Sequence, residues 1–196
     1  TSTDGGSTWT REDYPTGYQN HQFLAVDDNG SQRIALTLSS DGGAAVRSAA
    51  GGAWTVAATG LDLKPVDLLW TGTRHLAAGA STSVAGGARV LSSSDGQTWT
   101  TASLPATYTS GAWRAAKIEK QGSTLWLLVH RLSGNNPVGS VLLQSTDDGL
   151  NWSLDTDFGN DTVHALAAQH ARQDLLHVIG QRAGQRVRHD DEQRAD

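Results

Sequence analysis

The sequence has no cysteine and no methionine, and glutamate occurs only three times in 196 residues. Without cysteine the chain has no disulfide, no thiolate metal site and no thiol nucleophile. No apolar run reaches the length needed to span a membrane. The net charge of −5, with lysine and arginine interspersed among acids, disfavours nonspecific nucleic-acid binding, which requires a basic stripe. Because even an initiator methionine is missing, we interpret the sequence as a processed or truncated piece of a longer product.

Glycine and tryptophan, in contrast, are well represented, and four of the seven tryptophans end similar short phrases. Residues 93–99 read S-x-D-G-x-T-W. Residues 2–9 and 145–152 carry related phrases one residue longer, and residues 48–54 carry a degenerate copy with Ala50 in place of the acid. We call these four segments the tryptophan turns, and the degenerate copy the worn turn. Their tryptophans are separated by 45, 45 and 53 residues, which is typical of a repeat architecture.

The residue types in the phrase suit a tight turn between two antiparallel strands. An aspartate side chain accepts hydrogen bonds from backbone N–H groups one to three residues ahead. Glycine supplies the positive φ angle that such a turn needs. The serine or threonine hydroxyl can join the two ends, and the tryptophan ring covers the loop at the start of the outgoing strand. We therefore expect a turn whose polar groups satisfy one another, without a substrate or a metal.

The phrase resembles the Asp-box, or bacterial neuraminidase repeat. The residues that match are Ser2, Asp4, Gly6, Thr8 and Trp9; Ser93, Asp95, Gly96, Thr98 and Trp99; Ser145, Asp147, Gly149 and Trp152; and, without the acid, Ser48, Gly51 and Trp54. The resemblance implies a sialidase-like β-propeller with the box between the third and fourth strands of each blade. It also implies that the boxes are structural and lie on the face away from the ligand site. Proteins with such boxes differ in activity, so the fold does not name the function.

The alternating segments between the turns predict an all-β fold. Together with the resemblance, they imply a β-propeller of four-stranded antiparallel blades with about four blades present. We treat residues 1–196 as one propeller domain or propeller fragment. The predicted blades span residues 22–58, 66–102, 113–155, and 162–190 together with 1–14, and residues 190–196 are a loose tail. A strand at residues 9–13 would complete the last blade and remove two sheet edges. The ring is either self-closed or part of a larger ring of six to eight blades, closed by missing chain or another copy.

The face opposite the tryptophan turns is where a ligand is expected. The candidate ligand-binding residues on that face are Tyr18, His21, Asp67, Trp113, Arg114, Arg131, Asp161 and His164, with Asp62, Lys64, Tyr108 and Asn135 nearby in the predicted loops. Arginine forks bind carboxylates, and aromatic faces stack on sugars, so this set suits a carbohydrate or carboxylate ligand. The alternative is that these are ordinary polar loop residues.

Two functional hypotheses follow, and they belong to different classes. The first is a non-catalytic binding scaffold for a glycan or a protein partner. The second is a fragment of a sialidase-like or other glycoside hydrolase. Sialidases also carry an arginine in an Arg-Ile-Pro phrase, whereas the nearest phrase here is Arg33-Ile34-Ala35, which lies within a predicted strand. A pair of catalytic carboxylates could still come from Asp62, Asp67 and Asp161.

The seven histidines do not show the i, i+4 spacing of a helical zinc site, so we predict no metal and no cofactor. The predicted partners are a glycan or protein ligand, with no nucleic acid and no membrane span, and a homo-oligomer could complete the ring. The resemblance to Asp-box proteins, and nothing else in the sequence, favours a secreted or periplasmic location.

Overall fold

The computed structural model describes residues 1–40, 42–49, 52–83, 86–168 and 176–181. Within these residues the chain forms fourteen β-strands and one short 3-10 helix, Ala106–Tyr108. No helix in this described part is long and apolar enough to cross a membrane. The prediction of an all-β protein is therefore confirmed.

The strands form three four-stranded antiparallel sheets and one two-stranded sheet, each a simple meander in chain order. The first blade contains β1 Gln22–Asp28, β2 Gln32–Ser39, β3 Gly42–Ala49 and β4 Thr55–Leu61. The second contains β5 Lys64–Trp70, β6 His75–Ala80, β7 Ala88–Ser93 and β8 Thr100–Thr101. The third contains β9 Trp113–Gln121, β10 Thr124–Ser133, β11 Asn136–Ser145 and β12 Ser153–Asp157. The two-stranded sheet pairs β13 Thr162–Ala168 with β14 Leu176–Gln181.

The sheets pack face to face through three apolar clusters. The first and second blades share a cluster that includes Ile34, Leu68 and Leu91. The second and third share a larger one around Leu76 and Ile118, and the third blade meets β13 through a further cluster. The first strands also lie side by side, β1 next to β5, β5 next to β9, and β9 next to β13. Consecutive four-stranded meanders with adjacent inner strands are the architecture of a β-propeller, which confirms the predicted fold class.

Each innermost strand carries a β-bulge at the same place in its blade. The extra residues are Leu24 in β1, Val66 in β5, Ala116 in β9 and His164 in β13, as the breaks in strand register show. A bulge increases the local twist and bends the strand. Its recurrence at equivalent positions fixes a residue-by-residue correspondence between the blades, which the sequence alone did not reveal.

The N-terminal segment differs from the prediction. Residues 9–13 form no strand in the structure, although an outgoing strand was predicted there. Instead Glu12 contacts the first blade through Arg33 and Trp54, and Tyr14 stacks on Phe23. A strand needs a hydrogen-bonding neighbour, and residues 9–13 join none of the described sheets. Completion of the last blade by residues 1–14 remains a prediction, and the predicted tail at 190–196 lies outside the described residues.

Candidate functional site

The antiparallel meanders place the tryptophan turns and the candidate ligand residues at opposite ends of the blades. The tryptophan turns at residues 93–99 and 145–152 connect β7 to β8 and β11 to β12, and the worn turn connects β3 to β4. The segments that precede each first strand, and the connections between second and third strands, therefore lie at the other end. We call that end the binding face, because it carries most of the candidate ligand-binding residues.

The turn at residues 93–99 closes through its own hydrogen bonds. The Asp95 carboxylate oxygen Oδ1 accepts from the backbone N–H groups of Gln97 and Thr98 at 2.8 and 2.7 Å, and from the Ser93 hydroxyl at 3.0 Å. The Ser93 hydroxyl oxygen accepts from the Gly96 N–H at 2.8 Å. The indole N–H of Trp99 donates to the Gly96 carbonyl at 3.1 Å. The Asp95 carboxylate, the Ser93 hydroxyl and the Trp99 indole thus all form hydrogen bonds within the turn.

The turns at residues 2–9 and 145–152 repeat this network. Asp4 Oδ1 accepts from the Ser2 hydroxyl at 2.8 Å and from the Thr8 N–H at 2.9 Å. Asp147 Oδ1 accepts from the Ser145 hydroxyl at 2.8 Å and from the Asn151 N–H at 3.0 Å. In both turns the tryptophan indole donates to the glycine carbonyl at 3.0 Å.

Hydrogen bonding in these turns favours the ionised acid. The hydroxyl and the N–H of Thr8 lower the pKa of Asp4 to about 2. The N–H groups of Thr98 and Gln97 lower the pKa of Asp95 to about 2. The side chain and N–H of Asn151 lower the pKa of Asp147 to about 2. Each carboxylate is therefore held as a negative acceptor, which suits a structural role and not proton transfer.

Two of the turns also rest on the blade that precedes them. A methyl group added at Gly96 would lie 2.3 Å from the Cδ1 atom of Ile34 on β2. One added at Gly149 would lie 2.3 Å from the Cδ1 atom of Leu76 on β6. Both glycines have φ angles in the left-handed region, +71° and +82°. Glycine is therefore required twice, for the turn conformation and for the close approach between blades.

The worn turn replaces the missing acid with a distant ion pair. Arg33 donates to the Ser48 hydroxyl at 2.9 Å and to the Gly52 carbonyl at 3.3 Å. Glu12 accepts from Arg33 at 2.6 Å and from the indole N–H of Trp54 at 2.5 Å. The hydrogen bond from Arg33, opposed by burial, lowers the pKa of Glu12. Gly51, the remaining predicted member of this turn, lies outside the described residues.

On the binding face, Asp62 joins two loops and is fully engaged. Its Oδ1 accepts from the Ser81 hydroxyl and from the hydroxyl and N–H of Thr82 at 2.6 to 2.7 Å, and its Oδ2 accepts from Arg89 at 2.6 Å. Burial would raise the pKa of Asp62, but these bonds lower it to about 2. Asp62 therefore connects the blade-to-blade crossover to the β6–β7 loop.

Asp67 is engaged in the same manner between the second and third blades. Its Oδ2 accepts from the backbone N–H of Ile118 at 2.8 Å and lies 3.3 Å from the Lys117 ammonium. Burial opposes the charge on Lys117, but the carboxylates of Asp67 and Glu119 raise the pKa of Lys117 overall. The candidate Asp67 thus holds two inner strands together.

The third blade brings an aromatic and cationic group together at the binding face. Trp113 on β9 pairs directly with Arg131 on β10 in the strand register. The ring of Tyr108 meets Trp113 edge-on with centroids 4.9 Å apart, and Arg131 donates to the amide oxygen of Asn160. Trp113 is half-buried and packs on the apolar cluster. An indole ring beside a guanidinium is an arrangement that can hold a sugar ring and its polar substituents.

Arg114 and His164 lie beside a buried histidine that the sequence reading did not select for this site. Arg114 pairs with His130 across β9 and β10, and His130 bonds through Nε2 to the Val163 carbonyl of β13 at 2.8 Å. Burial, together with the charges of Arg114 and His164, lowers the pKa of His130, although the bond to Val163 opposes this. His164, the bulge residue of β13, is exposed. The sequence signal at His130 was the alternation of side chains along β10. A buried histidine fits that alternation, so the pattern did not single out His130 as a site residue.

The remaining candidates either lie away from this group or are not arranged as a ligand site. Tyr18 packs against His21 next to the first blade with ring centroids 4.2 Å apart and the rings tilted by 33°, and His21 contacts the Thr37 hydroxyl at 3.2 Å. Asp161 closes a turn with its N–H on the Phe158 carbonyl at 3.0 Å. Among the described residues no three histidine or acidic side chains come together as a metal site would require.

No family model and no curated protein matches the chain. Among solved structures the chain is similar to the native Bacillus subtilis arabinanase Arb43A, at 13% sequence identity and a TM-score of 0.31, over 74% of this chain and 84% of the arabinanase chain. The propeller architecture described above rests on this chain's own blades and on the packing between them.

Proposed function

We propose that the chain is a non-catalytic Asp-box propeller that binds a glycan or a protein partner through its binding face. The observation that carries this proposal is the engagement of Asp62 and Asp67, two of the three candidate carboxylates on that face. Asp62 accepts four hydrogen bonds, and Asp67 accepts a backbone N–H and faces an ammonium. Neither is free to attack or protonate a glycosidic bond.

Glycoside hydrolysis needs two carboxyl groups on either side of the bond, one with a raised pKa so that it can act as an acid. The pKa of Asp62 is moved in the opposite direction, to about 2. The glutamates in the described residues are engaged as well, Glu12 with Arg33 and Glu119 with Lys117. This arrangement favours binding over catalysis.

The group that fits a ligand is the pair Trp113 and Arg131 with its neighbours. An aromatic ring supplies a flat apolar surface for a sugar, and a guanidinium supplies paired N–H donors for hydroxyl or carboxylate oxygens. Both residues stand at the end of rigid paired strands, which limits the entropy lost on binding. Assignment to the Asp-box class is supported by the hydrogen-bond network shared by three of the tryptophan turns. A secreted or periplasmic location would follow from that class and is part of the proposal.

A glycan array, followed by titration calorimetry on the best binder, tests this function. Arg131→Ala and Trp113→Ala should each weaken binding by about tenfold or more. The matched control is Arg47→Ala, because Arg47 lies on β3 next to the worn turn at the opposite end of the blade. Equal losses in all three variants would contradict the assigned face.

A second assay separates binding from catalysis. The full chain should not turn over fluorogenic glycosides of sialic acid, glucose or arabinose. Turnover that is present in the wild type and lost in Asp67→Asn would contradict the non-catalytic assignment and support a glycoside hydrolase.

A further inference from the structure

In the second and third blades, one face of the sheet carries a row of apolar side chains that runs across the strands. In the second blade Leu68, Ala77 and Leu91 are paired in register, and they are 7%, 0% and 4% exposed. In the third blade the equivalent residues, Ile118, Leu127 and Leu143, are at most 1% exposed. These rows are buried because each packs against the blade that precedes it.

The first blade carries the same row without a preceding blade. Its members are Val26, Ala35, Val46 and Val56, again paired in register across four strands. Val26 lies two residues after its strand's bulge, as do Leu68 and Ile118. Val26 is 65% exposed, although its two equivalents are buried, whereas Ala35 and Val46 in the middle of the row are 3% and 0% exposed. The outermost strands of the two blades do not differ in exposure in this way, since Leu154 in the third blade and Val56 in the first are similarly exposed.

A groove lies beside this row. It has a volume of about 410 Å³ and is lined by Val26, Phe23 and Trp54 together with Tyr14 and Glu12 of the N-terminal segment. The neighbouring turn at residues 2–9 also lacks a blade to rest on, and its Trp9 is 75% exposed whereas the equivalent Trp152 is 6% exposed. Trp9 and Val26 are the two most exposed large apolar side chains in the described ranges. A concentrated apolar surface of this kind marks an interface.

We infer that this open face of the first blade binds the last sheet of a second copy of the chain. The chain's own last sheet is already packed on the third blade, where Val163 and Leu166 meet Leu128 and Leu142, and it leaves Val26 exposed. That sheet is the last in a series in which each blade packs against the next one along the chain. By this repeat, the last sheet of another copy is the surface that would cover the exposed end of the row at Val26.

Two copies can make this contact twice, once at each junction. The described residues of each copy supply three complete blades and one further sheet, so the pair would present twice four sheets, or eight. Propellers of four to eight blades are known, so a two-fold ring of eight blades lies within the known range of blade numbers. Closure of the ring would cover the face of the first blade at both junctions.

Sedimentation velocity on the full chain, from about 1 to about 100 µM, tests the inference. The wild type should associate into dimers, and Val26→Arg should raise the dimer dissociation constant at least about tenfold. The matched control is Leu154→Arg, an exposed aliphatic position of a blade whose row is already covered, and it should leave association unchanged. A monomeric wild type at the highest concentration, or equal effects of the two substitutions, would overturn the inference.

A measurement on the unmodified chain guards against misfolding of a variant. Val26 is mostly exposed in the single chain, so Arg should be tolerated, and far-ultraviolet circular dichroism would verify this. Independently, hydroxyl-radical labelling of Tyr14 should fall as wild-type concentration rises through the dimerisation range. Labelling that is already low in the most dilute sample would instead indicate closure within one chain and would overturn the two-copy arrangement.

Discussion

Replacement of Asp95 by alanine removes the acceptor around which one tryptophan turn is built. Its Oδ1 atom accepts the N–H groups of Gln97 and Thr98 at 2.8 and 2.7 Å and the Ser93 hydroxyl at 3.0 Å. Both amides belong to exposed residues, whereas Ser93 is buried. Water can therefore replace the carboxylate at the two amides but has little access to the Ser93 hydroxyl.

The expected loss in the free energy of unfolding is about 1–2 kcal/mol. A typical net hydrogen bond contributes about 1 kcal/mol, and bonds to charged groups contribute somewhat more. Rehydration of the exposed amides reduces the sum of three such bonds. For a chain of this size the loss corresponds to a fall in Tm of about 2–8 °C. Asp95→Asn keeps one acceptor oxygen and should lose about half as much.

Thermal unfolding followed by circular dichroism measures this effect at several pH values. Because the turn lowers the pKa of Asp95 to about 2, below its value of about 3.9 in an unfolded chain, the ionised acid stabilises the fold above about pH 4. That stabilisation is lost as the pH falls from about 4 towards 2. The difference between wild type and Asp95→Ala should therefore narrow in this range.

The control is Asp155→Ala, because Asp155 is exposed on β12 and, within the part of the chain that the structure describes, accepts only from the adjacent Thr156 hydroxyl. Its Tm should change by less than the equivalent of about 0.5 kcal/mol. An unchanged Tm in Asp95→Ala, or a difference that stays constant down to pH 2, would refute the assigned hydrogen bonds.

Other substitutions test the contacts between blades and the worn turn. Gly149→Ala should destabilise the fold by about 1–3 kcal/mol in chemical unfolding, because its methyl group would meet Leu76 at 2.3 Å; Gly122→Ala, which has a positive φ but open space, measures the cost of the φ angle alone. Arg33→Ala should cost about 2–4 kcal/mol in the same assay, since it leaves Glu12 without its cation in a partly buried site, and a loss below about 0.5 kcal/mol would exclude the proposed replacement of the missing acid.

The sequence predicted the blades well where structure is decided locally. The second and third blades are delimited by turns whose donors and acceptors lie within a few residues, such as Ser93, Asp95 and Gly96. Strand alternation between those turns is also local, because side chains alternate between faces. Together these two signals predict four-stranded antiparallel blades without information about which blades pack against one another.

Features that depend on another blade were not predictable. The equivalence of Val26 with Leu68 and Ile118 emerges only from the register, because each bulge is defined by its pairing. Asp67 was selected as a ligand residue from its position, and its engagement by the Ile118 N–H requires the neighbouring blade. Residues 9–13 were predicted as a strand because they follow a tryptophan turn, but a strand also needs a partner, which no local pattern supplies.

The worn turn shows how a repeat can lose its local chemistry without losing its shape. Three turns complete the hydrogen bonds of their serine, aspartate and tryptophan side chains within eight residues or fewer. The fourth uses Arg33 from the adjacent strand and Glu12 from the N-terminal segment, which is 42 residues from its other partner, Trp54. Its closure is therefore coupled to the placement of that segment on the first blade. The same segment lines the open groove, so the blade whose turn is not self-sufficient is also the blade whose face is unpaired. Any contact that orders the N-terminal segment on this face would stabilise the worn turn at the same time, because Glu12 serves both.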